Sequence, residues 1–201
     1  MVKLSQNMTK ITPRMGKRWV YKVVICKEQM KTEITYKDIE EFFNHPNEWN
    51  NDLVEGRNLS LADKTKSSDY IISKLDSNET AVRYIASHMI ITFKIEKAKQ
   101  KLIERILNKD TINSNGTMTY ALYHLNCKSN LVDVFKILAT QSYESKMHAY
   151  AILSEQEFEF SKDDLSEINT IWNTTKSQEL EKETYEMIED AYSGFIAYMN
   201  D

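Results

Sequence analysis

A mainly α fold, a helical bundle-like domain with a small N-terminal β element, follows from three observations. Only four glycines and two prolines punctuate the 201 residues, and no proline follows Pro46, so neither a missing N–H nor a ring clash interrupts helices over that stretch. Apolar residues recur at helical spacing through most of the second half. The densest run of β-branched and aromatic residues, RWVYKVVIC at 18–26, comes early, which keeps an α+β arrangement open as the alternative.

Taken in order, residues 18–26 and 31–35 are expected to pair as a short ribbon through the KEQM connection. Thr35, three residues before Asp38, has the spacing of a capping box for a helix carrying Tyr36, Ile39, Phe42 and Phe43. Pro46 suits the first turn of a short helix with Trp49 and Leu53, ended by Gly56. Residues 57–67 are polar and read as a loop, after which Ser68 caps a helix with Tyr70, Ile71, Ile72 and Leu75.

The run 79–109 favours helix, although Met89, Ile91, Phe93 and Ile95 alternate as a strand would. KDTINSNGT at 109–117 is a turn. Ser129 is expected to cap a helix over 130–155, Ser161 with Asp164 to open one through Trp172, and Ser177 to open the last. That last helix carries one apolar stripe, Leu180, Thr184, Met187, Ile188, Ala191, Phe195 and Met199, opposite Glu186, Glu189 and Asp190. Three antiparallel helices are the natural packing of this half.

Charge divides the chain sharply. Residues 1–27 hold seven basic side chains and no acid, against −11 over the remaining 174 residues, for a total of −4. This predicts a basic arm, 1–17, ahead of a single mainly helical domain, 18–201. In the arm Met1, Leu4, Met8, Ile11 and Met15 recur at helical spacing while Lys3, Lys10, Arg14 and Lys17 share another face, as in a presequence or a membrane-surface helix. Pro13 breaks that helix, so an arm docked on the chain's own acidic body or on a second subunit is preferred over nucleic-acid binding or targeting.

Apolar residues at 41 % exclude a disordered chain, and no run of 18 apolar residues offers a membrane span. No apolar secretory stretch stands at the N-terminus, which places the expected site of action in the cytoplasm. Cys26 and Cys127 form no CxxC or metal knuckle and are expected to be reduced and buried. The Asn-x-Ser/Thr triplets at Asn7, Asn58, Asn78, Asn115 and Asn173 are then incidental to an Asn-rich composition. Lysine far outnumbers arginine, the bias of an AT-rich genome, which suggests a phage, a mobile element or a low-GC microbe as source.

Two constellations are candidate sites. Lys94, Lys97, Lys101 and Arg105 fall on one face of a predicted helix and, with Lys3, Lys10, Arg14, Lys17 and Arg18, offer a nucleic-acid or partner surface that would bind phosphates by releasing counterions. Glu96 and Glu104 nearby favour a solvated face instead. Glu144 and His148 share a helix face, with His124 on the preceding element and His88 further back, but the repeated Glu-x-x-His and extra inward glutamates of bundle metal sites are missing, so an ion pair is the default. His45, beside Pro46, reads as a turn residue. There is no GxSxG elbow, paired Cys and His or Gly-rich phosphate loop, and Glu40–Glu41, Asp163–Asp164 and Glu189–Asp190 each point to different sides of a helix. No cofactor is expected.

TYALYHLNCKSNLVDVFKIL at 119–138 resembles one pentatricopeptide repeat, a unit whose arrays bind single-stranded RNA. Thr119-Tyr120, Ala149-Tyr150 and Thr184-Tyr185 are spaced 30 and 35 apart, the turn glycine is absent and Val134 stands where a small residue belongs, so no array is predicted.

The function expected from these features is that of a non-enzymatic interaction protein that binds and inhibits or regulates another macromolecule, as a phage-encoded or immunity-type factor would. Its 11 tyrosines and 3 tryptophans are residue types that anchor interfaces. An RNA- or DNA-binding accessory protein and a metal-dependent enzyme are the alternatives. Another protein is the expected partner, with nucleic acid or a second copy as further options.

Overall fold

The computed structural model describes residues 32–199; the basic arm and the 18–26 segment lie outside them. Within that span the chain is mainly α. A two-residue strand β1 (Glu33–Ile34) precedes α1 (Tyr36–Asn44), 3-10 turns at Pro46–Glu48 and Asn51–Leu53, and a second strand β2 (Asn58–Leu59). Eight further α-helices follow: α2 (Lys64–Ser73), α3 (Thr80–Phe93), α4 (Lys99–Leu107), α5 (Gly116–Tyr123), α6 (Leu131–Thr140), α7 (Tyr143–Glu155), α8 (Lys162–Thr175) and α9 (Lys182–Ile196). None of the described helices is long and apolar enough to cross a membrane.

The capping box expected at Thr35 forms: the Asp38 N–H donates to Thr35 Oγ1 at 3.3 Å and the Thr35 N–H to Asp38 Oδ2 at 2.9 Å. The second box forms at Ser161 and Asp164. Among the described residues the partner of β1 is β2, in parallel, with Ile34 beside Leu59 and both side chains buried. A parallel pair needs a crossover, and α1 with its two turns supplies it. Gly56, at φ +68°, takes the left-handed step that returns the chain to β2.

Several boundaries differ from the sequence expectation, each for a local reason. The 57–67 loop contains β2, and α2 starts at Lys64, so Ser68 lies inside the helix and its hydroxyl donates to the Lys64 carbonyl at 2.8 Å. The 79–109 run divides at Lys94, which adopts φ 49° while its N–H and that of Ile95 return to the Ile91 and Ile90 carbonyls. This is a Schellman ending, and Ile95 tucks its side chain against the core as such endings favour. The alternation at 89–95 is therefore the end of a helix. The expected 130–155 helix breaks at Gln141 and Ser142, whose side chains a buried asparagine captures. Ser177 does not open the last helix; its hydroxyl donates to the Thr174 carbonyl at 2.8 Å and helps close α8.

The helices stack in pairs rather than as a simple three-helix bundle. α3, α5, α7 and α9 lie side by side in one layer and α4, α6 and α8 in a second, each second-layer helix packing on the first-layer helix that follows it. One core runs through both layers, with Ile85, Met89, Leu102, Ile106, Leu122, Phe135, Leu138, Ile152 and Ile168 nearly inaccessible. Burial of each such side chain contributes about 1.5–3 kcal/mol.

The turns stack as well. At one end the Cys127 N–H donates to Gln156 Oε1 at 2.9 Å, Gln156 Nε2 donates to the Tyr123 and Leu125 carbonyls, and the Glu159 N–H donates to the Lys128 carbonyl. At the other end Arg83, 4 % exposed, donates to the Ser77 and Asn78 carbonyls and the Thr80 and Ser114 hydroxyls, tying the start of α3 to the turn before α5. Asn115 is fully buried there. Its Nδ2 donates to the Ile106 carbonyl at 3.0 Å and to Gln141 Oε1 at 2.8 Å, and its Oδ1 accepts from Ser142 and Ser145.

Replacing Asn115 with alanine strands several buried polar groups at once. Asn115→Ala should cost about 3 kcal/mol of folding free energy, read by urea denaturation, whereas Ser142→Ala should cost under about 1.5 kcal/mol. A loss below about 1 kcal/mol for Asn115→Ala would show that the network contributes little.

Candidate interaction surface

The α3–α5–α7–α9 layer exposes several large side chains on its helices. Tyr84 on α3, Tyr120 on α5, and Tyr143 and Met147 on α7 are 39 %, 38 %, 48 % and 43 % exposed. Each sits on the stripe its helix leaves over after burying the rest; in α5, Met118, Thr119, Ala121 and Leu122 face inward, so Tyr120, Tyr123 and His124 must face out.

α5 and α7 run parallel. Glu144 lies over Gly116 and His148 against Tyr120, the partners standing 28 positions apart in both cases. A Cβ on Gly116 would stand 2.1 Å from the Glu144 δ-carbon, so the glycine lets that side chain close over the start of α5. Tyr120 is flanked by His124 at 4.7 Å and His148 at 5.1 Å between ring centroids, Tyr123 touches His124 at 5.2 Å, and Tyr84 touches His88 at 4.4 Å. The Tyr123 hydroxyl donates to Glu155. α7 and α9 are parallel too: the Tyr143 hydroxyl donates to Glu183 at 2.9 Å and that of Tyr150 to Asp190 at 2.7 Å, both 40 residues on.

The basic row falls on the opposite layer and at its edge. Lys94 caps α3, Lys97 pairs with Asp69 at 2.5 Å, and Lys101 bridges Asp76 at 2.8 Å and Glu104 at 3.2 Å. The Arg105 side chain is largely buried and lies 3.9 Å from Asp76. These contacts join α2 and the Lys74–Asp76 turn to α4 and its approach, engaging three of the four cations with the chain's own carboxylates. Lys3, Lys10, Arg14, Lys17 and Arg18 lie outside the described residues.

His124 and His148 both lie against Tyr120, and His148 feels the charge of Glu144 and of His124, but no three His, Cys, Asp or Glu side chains gather closely enough to hold a metal among the described residues. His45 pairs with Glu41 one helical turn back at 3.2 Å. Of the neighbouring carboxylates, Asp164 caps α8 while Glu189 and Asp190 accept from different tyrosines. Burial pushes the Cys127 thiol up to about 12, leaving it a packing group at neutral pH. Cys26 lies outside the described residues.

Sequence reasoning counted the tyrosines but did not place them. Tyr120 and His124 at i, i+4, followed by Tyr143 and Met147 at i, i+4, were the available signal.

Burial lowers the pKa of both His88 and His148, for His148 against the opposing pull of Glu144. Below pH 6.5 the unfolded chain takes up protons that these folded imidazoles resist, so their contribution to stability is complete above that value and is lost as pH falls toward the folded pKa values. Stability should therefore fall on acidification from neutrality, and a His88→Gln/His148→Gln chain should show a flatter slope in urea unfolding as a function of pH. An unchanged slope would remove these histidines as its source.

Comparison with protein-family models, with curated proteins and with solved structures finds no match for this chain.

Proposed function

We propose that this chain is a non-enzymatic interaction protein whose stacked helices present a tyrosine-rich face to another protein, and that through this contact it inhibits or regulates its partner. The observation that carries the proposal is the exposure of Tyr84, Tyr120, Tyr143 and Met147 on three successive helices of one layer. Tyrosine gives a large, rigid, amphipathic contact at small entropic cost, and methionine adapts to an imperfect fit. Stacked helix pairs hold such side chains on a preformed surface, which limits the ordering cost of association.

Charge supports a protein partner over a phosphate backbone. Residues 32–199 contain 18 basic and 28 acidic side chains, and the tyrosine face is bordered by Glu144, Glu155 and Glu183. The expected cytoplasmic setting and phage or immunity-type origin belong to the same proposal.

The test is capture from an extract of the cell in which the chain is naturally made, comparing the full chain with a Tyr84→Ala/Tyr120→Ala/Tyr143→Ala variant of unchanged circular dichroism. A protein held by the former should be depleted about tenfold or more by the latter, as removal of interface anchors predicts. A partner retained equally by both, or capture of nucleic acid in place of protein, would refute the assignment.

A further inference from the structure

The seam between α7 and α9 differs from the one between α5 and α7. The two tyrosine–carboxylate hydrogen bonds, each spanning 40 residues, fix α9 beside α7 in parallel register. Along α7 the positions facing this seam are Tyr143, Met147, Tyr150 and Ser154, at i, i+4, i+7 and i+11. The same register sets Glu183, Met187, Asp190 and Gly194 opposite them. Tyr143, Met147, Ser154, Glu183 and Asp190 are exposed, Tyr150 and Met187 half-buried, and the space where a Cβ of Gly194 would project is open.

The result is a surface seam on which Tyr143 and Tyr150 reach across to Glu183 and Asp190 while the register sets Met147 opposite Met187. Its surroundings share that sign: residues 142–199 hold 13 acidic and 4 basic side chains, so the field there is strongly negative.

We propose that the α7–α9 seam is the docking surface for a lysine- and arginine-rich segment of a partner protein, its cations set over Tyr143 and Tyr150 and against Glu183 and Asp190, its apolar residues on Met147 and Met187. This rests on the interaction role proposed above and specifies the partner's chemistry. Tyrosine faces attract ammonium and guanidinium groups, nearby carboxylates strengthen that attraction, and methionines accept varied apolar side chains. The carboxylates are held by tyrosine hydroxyls before any partner arrives, so little ordering is left for binding.

The probe is a fluorescently labelled amphipathic peptide of leucine and lysine, titrated with the full chain and followed by anisotropy. Glu183→Gln/Asp190→Asn should weaken binding about tenfold, and Met147→Ser/Met187→Ser to a similar degree. Glu157→Gln/Glu179→Gln removes the same charge from exposed positions elsewhere in residues 142–199 and should change affinity by no more than about twofold. Equal losses for the two charge pairs would reduce the effect to the general field and overturn the proposal. So would absent binding, equal binding of the glutamate counterpart peptide, or a duplex oligonucleotide that competes for the same residues. If cellular capture depends on the tyrosine face while the lysine peptide does not bind, the interaction role stands and the basic-segment proposal falls. Peptide binding at the α7–α9 seam without any captured partner would separate them the other way.

Discussion

The buried amide of Asn115 is the constraint on which the stack depends. It sits where the end of α4, the start of α5 and the junction of α6 and α7 meet, and its two donors and its acceptor are all engaged there. A side chain this polar is tolerated at zero exposure only when its partners are in place, so the hub admits few alternative arrangements. Ser145, held by Asn115, also accepts from Thr119, which ties the first turn of α7 to the middle of α5. The parallel lie of α7 on α5 follows, and with it the meeting of Tyr120 and His148.

The same hub explains what was legible in the sequence. Both capping boxes could be read because their partners are three residues apart and the chemistry is local. The apolar stripe of α9 could be read for a similar reason: Thr184, Ile188 and Ala191 are buried as its spacing requires. The break between α6 and α7 could not, since residues 130–155 contain no glycine or proline and the group that captures Gln141 is 26 residues away. β2 was hidden as well. A two-residue strand has no periodicity to detect, and Asn58 and Leu59 find their pairing through a crossover. The helix favoured over this run forms as far as Phe93, and the strand-like alternation carries on to Ile95 because a Schellman ending brings one apolar residue back past the helix terminus.

Residues 119–138, which resemble a single repeat unit, cover most of α5, the following turn and α6, and those two helices belong to different packed pairs of the stack. The unequal spacing that argued against an array reflects real irregularity. Side-chain hydrogen bonds between α5 and α7, within one layer, span 26 to 32 residues, from Thr119 with Ser145 to Tyr123 with Glu155, and those between α7 and α9 span 40. Neighbouring units can stack on shared hydrophobic faces without a strict sequence period, because the core asks for volume and polarity rather than identity.

The lengthening of the last unit changes the kind of surface it makes. Between α5 and α7 the short offset sets ring against ring, and Tyr120 with His148 fills the seam. Between α7 and α9 the chain first travels through residues 156–161 and then 176–181, where Phe158 and Phe160 leave the layer to pack on Phe195 near the far end of α9. Those rings hold α9 from one side, while Trp172, stacked with Tyr192 at 5.3 Å, holds it from α8. The α7–α9 seam is joined differently, by tyrosine hydroxyls donating to the carboxylates of Glu183 and Asp190 at its surface. A fold that closes one seam with rings and lines the next with acids has two chemically distinct neighbouring faces. A partner that spans both must bring apolar surface to Tyr84 and Tyr120 and positive charge to Glu183 and Asp190.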